Sequence, residues 1–147
     1  MYRGRVPISS DQKADALARI PLFAGISPDS LARLAEVAGE QNFEAGDFVV
    51  RQGQVGTGLY VILEGNATVV RGFDEVAQLG AGDFFGELSV IDQMPRVASV
   101  RADAALSCLA LASWDLIALL DDDRAFSRNL IHGLVARLRE VGYQHNH

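Results

Sequence analysis

The stretch FFGELSVIDQMPRVASVR, Phe84 to Arg101, sets a glycine, a carboxylate, room for one helical turn and an arginine between two β-rich segments. Gly86 permits a close backbone approach that a Cβ would block, and the residues after it can form a turn whose free N–H groups point at an anion. Pro95 stops that turn and stiffens the return, so that Arg96 comes back toward the same place with a guanidinium suited to forked contact with phosphate oxygens. Glu87 lies beside this positive ground. A second acid there would repel a phosphate, so its use is to accept hydrogen bonds from hydroxyls. A carboxylate for hydroxyls and an arginine for phosphate describe a sugar phosphate.

Outward from this stretch, Phe43 to Ala112 is a run of short β-rich segments punctuated by glycines from Gly46 to Gly86, which is the pattern of many tight turns. The segments Asp47–Arg51, Leu59–Leu63, Ala67–Arg71, Glu75–Leu79, Ser99–Ala102 and Leu106–Leu111 read as strands of an all-β barrel or roll. Gly65-Asn66 suits a two-residue hairpin turn with glycine first. The glycine-rich GQVGTG, Gly53 to Gly58, lacks the lysine that a P-loop needs, and reads as a surface turn.

Helical patterns flank the roll. Asp11 to Arg19 has an amphipathic spacing, and Ser27-Pro28 opens a second helix to about Glu40, with Leu31, Leu34, Ala35 and Ala38 on one stripe. Beyond the roll, Ser113 is placed to cap a short helix, Trp114 to Leu120, ended by Asp121-Asp122-Asp123 in a solvated turn. A last helix from about Arg124 to Gly142 carries Phe126, Leu130, Leu134, Leu138 and Val141 on one face, with Ile131 and Val135 beside it. That wide stripe suits covering the roll, pairing with a second copy as a brief coiled-coil seam, or both.

The chain has 147 residues, enough for one core in one domain: a helical lead over 10–40, the roll over 43–112 and C-terminal helices over 113–142. The net charge of −6 and a single lysine, Lys13, give no basic face for nucleic acid or an acidic membrane. Ala104 to Leu120 is apolar but short for a membrane span, and it carries Asp115. The opening MYRGRVPISS has no apolar segment after its basic residues, so it does not read as a secretory signal. The one cysteine, Cys108, lies in an apolar run and reads as a core residue, consistent with the cytoplasm. All three histidines, His132, His145 and His147, follow the roll, which argues against an enzyme with metal ligands inside it. No cofactor is expected.

Gly86-Glu87-Leu88, Pro95-Arg96 and Ala98-Ser99-Val100 together resemble the phosphate-binding cassette of cyclic nucleotide-binding domains, found in catabolite-activator-type regulators, kinase regulatory subunits and gated channels. Pro21-Leu22-Phe23, Gly46-Asp47, Arg51-Gln52-Gly53, Leu59-Tyr60-Val61 and Glu64-Gly65 extend the resemblance in the family's order over roughly Ile20 to Arg139. It implies a mainly β, jelly-roll-like fold with N-terminal helices and a long C-terminal helix, and a regulatory domain rather than an enzyme. It implies that Glu87 holds a ribose hydroxyl, that Arg96 holds the cyclic phosphate, and that the backbone of Gly86, Leu88, Val97 and Ala98 holds the remaining oxygens. The base would lie near Val69, Val76 and Ala77 under the last helix. The family's hydroxyl contact from that helix does not carry over, since Val141 and Gly142 stand there; Tyr143 could stack on a base and Arg139 could reach one, against the plainer reading of both as surface residues at the helix end.

Val97 departs from the family pattern, which has Ala, Ser or Thr there, and it offers no hydroxyl to a guanine. The favoured ligand is therefore cAMP ahead of cGMP. The rival reading is a vacant domain that keeps the fold as a partner-binding or dimerising module. Partners implied beyond the nucleotide are a second copy through the last helix and a protein effector. The regulators of this family carry a helix-turn-helix module after the long helix, for which the residues up to His147 leave no room. The expectation is therefore either action through a partner or the sensor part of something longer, and, from the charge, no direct nucleic-acid contact.

Overall fold

Ser9 accepts a hydrogen bond from the Gln12 amide while the Gln12 side chain accepts one from the Ser9 amide. This reciprocal box starts helix α1, Ser10–Ala18. A 3₁₀ turn, Pro21–Phe23, leads to α2, Pro28–Val37, which Ser27 caps through the Ser30 amide with proline in its first turn. In the computed structural model of the protein, residues 7–56, 58–86, 92 and 94–145 are described.

The helix α2 stops at Val37, short of Glu40, because Gly39–Phe43 is already strand β1. That strand has no β-rich alternation in its sequence, Gly-Glu-Gln-Asn-Phe. Antiparallel pairing with Leu106–Ala112, from Gly39 opposite Ala110 to Phe43 opposite Leu106, overrides its weak propensity. The remaining strands are β2 (Phe48–Val50), β3 (Gly58–Glu64), β4 (Ala67–Arg71), β5 (Asp74–Leu79), β6 (Phe84–Phe85), β7 (Ser99–Ala102) and β8 (Leu106–Ala112). They form two four-stranded antiparallel sheets, in the orders β1-β8-β3-β6 and β2-β7-β4-β5. This is the jelly-roll-like arrangement expected.

Gly65-Asn66 does not close a hairpin. The strands on either side, β3 and β4, belong to different sheets, and Gly65 lies so tightly against the Ala105 carbonyl that a Cβ could not fit. The positive φ of 97° at Gly65 turns the chain from one sheet to the other. The adjacent hairpin is β4–β5, in which Arg71 faces Asp74.

Alternation along the strands divides the core in two. Leu59, Val61, Leu109 and Leu111 face the helices, where they pack with Leu17, Leu22, Phe23, Leu116, Phe126 and Leu130. Phe23 and Phe126 stack with ring centroids 5.7 Å apart. Ile62, Cys108, Leu106 and Phe85 face into the roll with Ala67, Val100 and Ala102. Burial pushes the Cys108 thiol up to about 12, so it stays protonated and packs as a small apolar group.

Two helices close the chain, α3 (Ser113–Asp122) and α4 (Arg124–His145). Ser113 is the first residue of α3 rather than its cap. Ala112 takes the cap position and makes no side-chain cap bond. The acidic run is not wholly solvated either. Asp123 is 8% exposed, accepts from the amides of Ala125 and Phe126 at the start of α4, and accepts from the Ser27 amide at 3.0 Å. The Ser27 hydrogen bond first, helped by those from Ser30, Phe126 and Ala125, holds its carboxyl below the ordinary aspartate value against the opposing effect of burial. Asn129 adds bonds from its amide to the carbonyls of Leu22, at 3.1 Å, and Ala24, at 2.7 Å.

The first half of α4 is thus fixed to the N-terminal helical layer. Its stripe is buried at Phe126 and Leu130, half-buried at Leu134 and exposed at Leu138, with Ile131 and Val135 also exposed. The Ala104–Leu120 run divides between β8 and α3, and among the described residues no helix is long and apolar enough to cross a membrane.

Candidate functional site

Arg96 enters the site on a segment stitched to the loop between β2 and β3. Its amide donates to the Gln54 carbonyl at 2.9 Å, its carbonyl accepts from the Gly53 amide at 2.8 Å, and Pro95 bridges to Val55. The loop is held at its β2 end by one residue: the Gln52 amide donates to the Ser99 hydroxyl, and the Gln52 side chain accepts from the Gly72 amide of the β4–β5 hairpin. The trajectory of the Arg96 side chain therefore depends on a small patch of main-chain pairing, not on an exposed tether.

Arg96 itself is only 9% exposed and is the only buried cation among the described residues. Its Nη2 donates to the Gly58 carbonyl at 3.1 Å. Gly86, with φ of 95°, brings the end of β6 against the same group: a Cβ there would lie 2.5 Å from Arg96 Nη1 and 2.7 Å from the Gly58 carbonyl oxygen. At Gly56 a Cβ would collide with Nε and the rest of the guanidinium. Two glycines, Gly56 and Gly86, thus leave the space in which a charged planar group lies against the backbone carbonyl of Gly58. In such a sheltered position the attraction for an anion is stronger than at an open surface.

A cavity of about 460 Å³ opens against Arg96, with Gly56, Gly58, Gln54, Val49, Val50 and Tyr60 in its wall, and Gln41 and the end of β8 farther along. Its size falls within the roughly 300–1,000 Å³ usual for small-molecule sites. Tyr60 stacks on Phe85 at 5.3 Å, which makes that part of the wall stiff. The charged side chains of the described wall are Arg51 and Arg96, both cations. Among the described residues no group of three or more His, Cys, Asp or Glu is placed to hold a metal.

The structure brings some of the expected residues together and separates others. Gly86 and Arg96 meet. Val97 follows Arg96 but is 58% exposed and lies outside the described cavity wall, and Ala98 is half-buried just before β7. Val69 is half-buried against the inner core, opposite Ala77 across the β4–β5 pairing. Val76 and Ala77 are exposed on β5, whereas the buried residues of α4 pack with Leu22 and Phe23 in the helical layer. Glu87 and Leu88 lie outside the described residues. Tyr143 belongs to the last turns of α4, and its side chain is likewise outside them.

Sequence reasoning missed the inner edge of GQVGTG. Gln52 to Val55 do form an exposed turn, but Gly56 and Gly58 face Arg96. The available signal was the recurrence of glycine at positions 53, 56 and 58, where conformational need accounts for Gly53, at φ of 84°, and close approach for the other two.

A two-sheet roll with a buried arginine at a glycine-lined corner beside a cavity is a ligand-binding fold. The family model of the cyclic nucleotide-binding domain matches residues 40–123, and the chain belongs to that family. It is 31% identical over 117 residues to a putative potassium channel protein of Rhodopseudomonas palustris, a match that covers 78% of this chain and 28% of that one. It is 29% identical over 128 residues to a cAMP-dependent protein kinase regulatory subunit of Hypocrea atroviridis, covering 86% and 26%. Among solved structures, the catabolite activator protein of Thermus thermophilus superposes with a TM-score of 0.76 at 31% identity, over 84% of this chain and 61% of that one. The chain therefore spans about a quarter of the length of the two curated relatives.

Proposed function

We propose that this chain is a cyclic nucleotide sensor, with cAMP as its favoured ligand, and that it transmits occupancy through α4. The observation that carries the reading is the guanidinium of Arg96, sheltered and held to the Gly58 carbonyl at the corner where Gly86 admits a close approach. In this reading Arg96 pairs with the ring phosphate, and the amides of Gly86, Leu88, Val97 and Ala98 serve its remaining oxygens. Glu87 accepts from the ribose hydroxyl, Val69, Val76 and Ala77 lie nearest the base, and Tyr143 stacks on it.

The relatives support the ligand class, since the Hypocrea protein is named for cAMP dependence. Val97 is exposed beside the site, so its bulk does not plug the described cavity, and this weakens the case for a vacant domain. Binding shifts a two-state equilibrium only so far as the ligand prefers one state. The element available to report that shift is α4, fixed at its start by Asp123 and Asn129 and exposed at Ile131, Val135 and Leu138 farther on. That exposed stripe is also the surface we assign to pairing with a second copy or to an effector. The module acts without catalysis and works in the cytoplasm.

Displacement of a fluorescent cAMP analogue tests the reading. Cyclic AMP should displace it at lower concentration than cGMP, and adenosine, which has no phosphate, should fail. Equal displacement by adenosine, or none by any nucleotide, would reject it.

A further inference from the structure

We infer that Gly56 is a positioning residue for Arg96, so that the loop between β2 and β3 decides whether the guanidinium can meet a phosphate. Among the glycines near the site, Gly53 and Gly86 have positive φ, at 84° and 95°, so each has a conformational reason to be glycine. Gly56 has none: its φ lies outside the left-handed region, and what it supplies is empty space. A Cβ built there runs into Nε, Cζ and Nη2 of Arg96, and these are the three nearest atoms it meets.

Which partner yields follows from how each is held. The loop is paired to residues 95 and 96 by two main-chain hydrogen bonds and the Val55–Pro95 bridge. Gly58, at its far end, is already packed so that a Cβ would lie 2.7 Å from the Leu111 carbonyl oxygen of β8. The backbone has little room to retreat, whereas a guanidinium on a flexible stem can swing. An alanine at position 56 therefore pushes the guanidinium off the Gly58 carbonyl and away from Gly86, while the sheets keep their pairing. The fold survives and the charge is misplaced.

The affinity part of this inference rests on the proposed reading of Arg96 as the phosphate partner, but the positional part does not. The test accordingly has two arms on wild type, Gly56→Ala, Arg96→Ala and the double variant. Without ligand, the Arg96 Nε–H resonance, identified by its loss in Arg96→Ala, should exchange with solvent at least tenfold faster in Gly56→Ala, with strand amides unchanged. An unmoved resonance would overturn the inference. Should Gly56→Ala instead lower stability, the loss should vanish in the Arg96→Ala background, because the collision is gone. An equal loss in both backgrounds would overturn it. With cAMP, Gly56→Ala should weaken binding at least tenfold and add nothing once Arg96 is absent. Wild-type-like affinity in Gly56→Ala beside weakened binding in Arg96→Ala would overturn the inference, whereas wild-type-like affinity in both would reject the reading of Arg96 as the phosphate partner. No binding by wild type would reject the nucleotide reading, and the exchange measurement would still decide the role of Gly56.

Discussion

The helical layer and the Arg96 corner are built in opposite ways. In the helical layer side chains supply the order: Leu17, Phe23, Leu116, Phe126 and Leu130 fill the space over Leu59, Val61, Leu109 and Leu111. At the corner order comes from missing side chains, because Gly56 and Gly86 leave room for one guanidinium, held by the main-chain carbonyl of Gly58. The first arrangement spreads stability over many contacts. The second concentrates a charge where few atoms can be changed without moving it. Damage to the layer should therefore appear as lost stability, and damage to the corner as lost binding.

The largest expected effect lies in the layer. Phe126→Ala removes the stacking partner of Phe23 and opens a cavity between α4 and the sheet, and it should cost about 4 kcal/mol in urea unfolding. A loss under about 1 kcal/mol would mean that α4 does not share the core. Next, Arg96→Ala should weaken cAMP binding by about 3 kcal/mol, more than a hundredfold, with a much smaller change in the unfolding midpoint. Were stability to fall as far as affinity, the division between layer and corner would fail.

A smaller effect belongs to Asp123, which joins the layer to α4. Asp123→Ala should cost about 2 kcal/mol, since three main-chain amides lose a charged acceptor. Because its folded-state pKa is depressed, its contribution is complete above the unfolded value of roughly 3.9 and is lost as pH falls toward the folded value. Acid unfolding of Asp123→Asn should show a shallower dependence over that window. Smallest is Val97→Ser: at an exposed position it should change stability by less than about 0.5 kcal/mol, while improving cGMP relative to cAMP in displacement.

The same contrast explains what the sequence disclosed. The roll, its flanking helices and most strands were legible because alternation and helical stripes are written in side chains, and Ser27-Pro28 marked the start of α2 at its true place. Strand β1 was not, because Gly39–Phe43 is extended only through its pairing with β8. Gly65-Asn66 was misread as a hairpin since local turn chemistry does not reveal that the flanking strands belong to different sheets. At the site, Gly86 and Arg96 were visible as residue types with a purpose. Gly56 was not, because a glycine needed for space looks the same in sequence as one in an exposed turn. Asp123 was hidden likewise among three adjacent acids, and only its reach to the Ser27 amide distinguishes it.

Calorimetric titration of cAMP into wild type and Arg96→Ala, side by side, tests the central claim most directly. A saturable heat in wild type that weakens more than a hundredfold in the variant is the predicted result. Equal heats in the two proteins, or none in either, would contradict it.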